Sequence, residues 1–91
     1  MLRKGVLGSM EVYVLVRTVT YAQTVMKLLN SRGILCKQAK SPRELGKNGC
    51  GYAVIAKNAS PELILNSVSD VGLPNFRVYL TADGKSFQQL R

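Results

Sequence analysis

One cysteine in this 91-residue chain is set between two glycines and near several bases, in the stretch Arg43-Glu-Leu-Gly-Lys-Asn-Gly-Cys50-Gly-Tyr52. Gly49 and Gly51 lack a Cβ, so the sulfur of Cys50 would reach solvent or another protein with little steric shielding. Arg43 and Lys47 lie on the same loop, and cations favour thiolate, the nucleophilic form, over thiol. That arrangement suits a redox or group-carrying thiol. The same residues also fit a plainer role, in which the glycines shape a hairpin turn and Cys50 is a small buried apolar residue.

Other chemistries have less to work with. There is no histidine, and the five acids, Glu11, Glu44, Glu62, Asp70 and Asp83, are too dispersed in sequence to form a recognisable acid/base pair. Two cysteines without histidine fall short of a zinc site, and no cofactor is expected. A carrier or binding protein fits these residues better than a catalyst.

The elements that must position Cys50 follow from pattern. Val12-Tyr-Val-Leu-Val16 and Tyr52-Ala-Val-Ile-Ala56 are continuously apolar and suit central strands buried on both faces. Between them, Thr18 or Thr20 can cap a helix whose Ala22, Val25, Met26 and Leu29 share one face, with Gly33 ending it. Ile34 to Lys40 mixes apolar and basic residues, as an edge strand does. Ser41-Pro42-Arg43-Glu44 has capping-box spacing, with one short turn following over Arg43 to Leu45. Ser60-Pro61-Glu62 opens a second helix with Ile64, Val68 and Val71 facing inward and Gly72 closing it. Phe76, Val78 and Leu80 alternate with Arg77 and Tyr79, the pattern of a half-buried edge strand.

The order is βαββαβ, and right-handed crossovers make it a ferredoxin-like α+β sandwich: a four-stranded antiparallel sheet in the order 4-1-3-2 with two helices on one face. The domain spans 11–81, with a loose arm over 1–10 and a frayed tail over 82–91 after the Asp83-Gly84 turn. The uncovered sheet face would expose about half of the two central strands, an apolar patch suited to a homodimer.

In this topology the third strand begins beside the end of the first, so Cys50 is expected near Arg17 and the N-terminus of the helix that Thr18 caps. If Lys40 faces Gly51, Cys36 faces Ile55, roughly 13 Å along the ladder from Cys50 at about 3.3 Å per residue. A disulfide needs Cα atoms within about 7 Å, so Cys50 would work alone and Cys36 would pack.

Thirteen Lys and Arg against five acids leave a net charge of +8, which favours an anionic partner. The bases are dispersed rather than clustered. No apolar run approaches the roughly 20 residues of a membrane span, and no secretory signal is evident, so a cytoplasmic protein with reduced thiols is expected.

An apolar strand leading into a Thr-started helix, the run Ser41-Pro42-Arg43-Glu44-Leu45, and Cys50-Gly51 shortly after it together resemble the selenium/sulfur carrier protein-like domain family. The resemblance covers about Tyr13 to Tyr79. It implies that Cys50 bears a sulfur or selenium cargo, with Gly51 matching the glycine after the family's cysteine and Pro42, Arg43 and Glu44 the run before it. Donor and acceptor proteins would be its partners. Two features depart from the family pattern: Lys40 stands where a further proline is frequent, and the Gly46 to Gly49 spacer is about one residue longer.

Two other functions compete. RNA-recognition motifs share the element order, and Asn48 to Ile55 partly fits their third-strand octamer, with Tyr13 and Tyr52 as the stacking residues and the basic charge meeting phosphates. Alternatively, the domain dimerises through its open sheet face and uses no thiol.

Overall fold

The computed structural model describes residues 10–43, 45, 51–57, 60–73, 75–83 and 85–91. Among the described residues seven elements follow one another: β1 (Glu11–Val16), α1 (Val19–Ser31), β2 (Cys36–Lys40), β3 (Tyr52–Lys57), α2 (Pro61–Val71), β4 (Arg77–Thr81) and β5 (Gln88–Gln89). The sheet order is β2-β3-β1-β4-β5, antiparallel at every pairing. With β5 left aside, the sheet runs β4-β1-β3-β2 from one edge to the other, the expected 4-1-3-2 order. The α+β ferredoxin-like reading therefore holds, with a fifth strand added beside β4.

Local chemistry explains the helix boundaries. Thr18, in extended conformation, accepts a hydrogen bond from Tyr21 N–H at 3.1 Å and caps α1, a bond worth about 1 kcal/mol. Gly33, at φ 79°, takes the left-handed conformation that lets the chain leave the helix for β2. Ser60 caps α2 through Leu63 N–H, Pro61 occupies its first turn, and Gly72 closes it at φ 76°.

Packing follows the period-2 alternation of the strands. Val12, Val14 and Val16 of β1, with Val54 and Ala56 of β3 and Val78 of β4, meet Ala22, Val25 and Leu29 of α1 and Ile64 and Val68 of α2. Both helices thus cover one face. Val71, expected to point inward, is 37% exposed, and Ser67 takes the buried position instead. Its hydroxyl accepts a 2.7 Å hydrogen bond from the Arg32 guanidinium, which ties the end of α1 to the middle of α2.

The expected frayed tail is part of the sheet. The Asp83 carboxylate accepts from the N–H groups of Lys85 at 2.8 Å and Ser86 at 2.9 Å and from the Thr81 hydroxyl, reversing the chain. Gln88 and Gln89 then pair with Leu80 and Tyr79, so β4 is an interior strand. Past them, Leu90 and Arg91 both donate to the Val78 carbonyl, at 2.7 and 3.2 Å, while Val78 N–H returns a bond to Arg91. Two residues opposite one constitute a β-bulge, which turns the strand locally. Arg91 ends 3.0 Å from the Ser69 hydroxyl and over the Phe76 ring, 4.9 Å from its centroid.

The second face is not the open apolar patch that four strands alone would leave. Leu15 and Ala53 are fully buried there, joined by Ile55 and Tyr79, with Tyr13, Ala39, Leu45 and Phe87 packed against them. The turn after β2 supplies Leu45 and the C-terminal segment supplies Phe87.

Candidate functional site

Three strand ends meet at one end of the sheet. Val16 opposite Tyr52 is the last rung of the β1–β3 ladder, and Ser41 N–H donates to the Gly51 carbonyl at 3.1 Å, one step beyond the last β2–β3 rung. Arg17 and Thr18 continue from β1 at this end, and Pro42 and Arg43 continue from β2. Leu45 N–H donates to the Pro42 carbonyl at 2.9 Å, closing the single turn expected after Ser41. The topology thus brings Arg17, Thr18, Pro42, Arg43 and Gly51 together. Cys50, Gly49, Lys47 and Glu44 lie outside the described residues, as does the capping role expected of Glu44.

The charge at this end is one-sided among the described residues. Arg17 and Arg43 are exposed, and the ion pair found joins Lys57 to Glu11 at 3.6 Å, at the opposite end of β1 and β3. The first turn of α1 contains no acidic residue to offset the partial positive charge of its N-terminus, which Thr18 caps. Arg17 and Arg43 thus leave the sheet at the same end as the N-terminus of α1.

Gly51 is exposed, its φ lies outside the left-handed region, and a Cβ on it would meet nothing within 4 Å among the described residues. Neither backbone conformation nor packing therefore demands glycine there. Absence of a side chain instead leaves this end of β3 open to approach from outside.

Cys36 is in a different setting. It faces Ala56, one residue further along than the Ile55 expected, because Lys40 pairs with Tyr52 rather than Gly51. Ala56 is five residues from Gly51, about 16 Å along the strand at roughly 3.3 Å per residue. The thiol packs against the helix-side core and points to the Met26 carbonyl at 3.9 Å and Asn30 Oδ1 at 3.8 Å. Burial raises its pKa above the ordinary 9.0, keeping it a thiol at neutral pH.

The two tyrosines proposed as a stacking pair do not share a surface. Tyr13 faces Ile55 and belongs to the second face, whereas Tyr52 faces Val16 and packs with the helix-side core. Three rungs separate them, an odd number, so alternation sends them to opposite sides. Tyr13 is instead in edge contact with Phe87, centroids 5.2 Å apart, and burial followed by the neighbouring Glu11 carboxylate holds its phenol above the usual range.

Sequence reasoning missed Phe87 and Leu45 as cover for the second face. For Phe87 the available signal was a single aromatic in a polar tail, and for Leu45 a lone aliphatic residue in a polar turn. It also missed a groove lined by Arg32, Lys37, Lys57 and Leu63, which residues far apart in the chain build together.

These features define a small α+β domain of ferredoxin-like architecture whose exposed, cationic strand-end cluster adjoins the Cys50 segment. The chain belongs to the family described as "Putative Se/S carrier protein-like", whose model matches residues 11–80. No curated protein and no solved structure matches it. Among the described residues no helix is long and apolar enough to cross a membrane, and no group of His, Cys, Asp and Glu is placed to hold a metal.

Proposed function

We propose that this protein carries sulfur or selenium between a donor and an acceptor protein, with Cys50 as the cargo-bearing thiol. The observation that carries this reading is membership of the selenium/sulfur carrier-like family over residues 11–80, a span that includes Cys50. The strand-end cluster supports it. Arg17, Arg43 and Lys47 favour the thiolate by charge, the N-terminus of α1 capped by Thr18 adds its partial charge, and Gly49 and Gly51 leave the sulfur's neighbours without side chains. Pro42, whose carbonyl accepts from Leu45 N–H at 2.9 Å, belongs to the turn that precedes the Cys50 segment, and Glu44 is the capping residue proposed for it.

Loading is a sulfur transfer without net oxidation. The Cys50 thiolate attacks the outer sulfur of a donor persulfide, a new S–S bond forms, the donor's own S–S bond breaks, and the donor leaves as thiolate. Delivery is the same step in reverse roles, with an acceptor thiolate attacking the terminal sulfur and Cys50 leaving. A selenium atom in the terminal position follows the same bookkeeping.

Intact mass measurement of the protein isolated from cells without reductant tests the reading. An adduct of one sulfur or selenium is expected on the native chain and on Cys36→Ser, and none on Cys50→Ser. An unmodified Cys50 that also resists loading by a persulfide donor in vitro would overturn it.

A further inference from the structure

At the end of the sheet away from Gly51, an open groove of about 730 Å³ runs between the start of β2 and the first turn of α2. Its apolar lining includes Leu35, Ile55 and Leu63, and Leu35 is 83% exposed, unusual for a large aliphatic side chain. Arg32, Lys37 and Lys57 also line it and, among the described residues, no acidic residue does; Lys57 is paired from outside the lining with Glu11 at 3.6 Å, which leaves Lys37 and Arg32 as the cations without a carboxylate partner. Lys37 faces Ile55 across the β2–β3 ladder and Lys57 follows two residues on, which puts both lysines and Ile55 on one side of the sheet. The groove opens on β2, which among the described residues is the outer strand and pairs on one side only.

We propose that this groove and the edge of β2 dock an acidic, extended segment of a partner protein. The segment adds as a strand beside β2 through main-chain hydrogen bonds, sets an apolar side chain against Leu35 and Leu63, and places a carboxylate near Lys37. Charge selects this occupant. A second copy of the chain would bring Lys37 and Lys40 against the same lysines, and like charges opposite each other destabilise a strand pair. A single-stranded nucleic acid would find phosphate partners but no ring to stack on, since no aromatic residue among the described ones lines the groove. An alternating acidic and apolar strand satisfies the cations, the aliphatic wall and the open edge together. This surface is independent of whether Cys50 carries cargo.

Amide chemical-shift titration of the isotopically labelled full chain tests it. The probes are an end-blocked Glu-Val-Glu-Val-Glu-Val peptide, its Lys-Val counterpart and a single-stranded oligouridylate. The acidic peptide is expected to shift the amides of Leu35 to Gln38, more strongly at low salt, and the basic peptide to shift none of them. Lys37→Glu, which leaves the Lys57–Glu11 pair intact, should weaken the acidic peptide severalfold, while Lys37→Arg keeps it. The same charge reversal should in turn ease binding of the basic peptide. The proposal is overturned if the acidic peptide leaves these amides unmoved, if both peptides bind alike, if the shifts centre on Tyr13 and Arg77, or if only the oligouridylate perturbs Leu35 to Gln38.

Discussion

Tyr13 and Tyr52 stand on adjacent antiparallel strands yet project from opposite faces of the sheet, Tyr13 against Phe87 and Tyr52 against the helix-side core. Their substitutions should therefore behave differently. Tyr13→Ala removes an edge-to-face aromatic contact worth about 1 kcal/mol and loosens the segment that carries Phe87. Amide exchange at Gln88 to Leu90 is expected to quicken in that variant and to be unchanged in Tyr52→Phe. Equal protection in Tyr13→Ala would mean that Phe87 does not anchor β5.

Arg32 and Ser67 make an asymmetric pair. Ser67 is completely buried and accepts from a guanidinium whose own stem is largely exposed. Arg32→Ala leaves the buried hydroxyl without its charged donor and should cost about 1–2 kcal/mol in urea unfolding. Ser67→Ala removes the buried polar group itself and frees Arg32 to water, so it should cost less. The reverse ranking would show that the side-chain stem of Arg32, rather than its hydrogen bond, holds the helix ends.

The turn at Asp83 should be acid-sensitive. Backbone N–H donors from Ser86 and Lys85 lower the Asp83 carboxyl below its ordinary 3.8. A depressed folded-state value contributes stability that is fully present above the unfolded value and is lost as pH falls through the folded one. The Lys85 and Ser86 amide resonances should therefore titrate below pH 3.8, together with those of β5. In Asp83→Asn the same resonances should show no such step.

Gly51→Ala separates fold from function. Among the described residues nothing lies within 4 Å of the Cβ position, and the backbone is not left-handed, so unfolding free energy should change by less than about 0.5 kcal/mol. Persulfide loading of Cys50 should nonetheless slow, because a side chain then stands beside the thiol. A loss of stability above about 1 kcal/mol with loading intact would assign Gly51 to structure alone.

The two thiols should differ in reactivity. Burial keeps Cys36 protonated at neutral pH, and its alkylation rate should still be climbing past pH 9.0, where that of an ordinary thiol levels off. Cys50, which the proposed function sets beside cations, should be alkylated faster than a model thiol at pH 7. Peptide mapping after a timed iodoacetamide pulse measures both, and a Cys50 rate no greater than that of the model thiol would remove the electrostatic argument.

Much of this architecture is legible in the sequence because its causes are local. Continuous apolar runs specify the central strands, Thr18 and Ser60 specify where helices begin, and Gly33 and Gly72 where they end. With the right-handed crossover rule these yield the βαββαβ order and the four-strand core of the sheet. The cysteine between glycines was equally plain, as was the resemblance that led to the family.

Tertiary structure decided what depends on pairing between distant segments. Gln88 and Gln89 have no apolar alternation and become a strand only because Asp83 turns the chain back onto β4. A one-residue difference in the β2–β3 register moved Cys36 from Ile55 to Ala56, and alternation assigned Tyr13 and Tyr52 to opposite faces. The sequence determined that a thiol, bases and a helix start occur in this order along the chain. Strand pairing decided that Arg17, Arg43 and Gly51 meet at one end of the sheet while Cys36 lies at the other, because register and topology are properties of paired segments and no single segment encodes them.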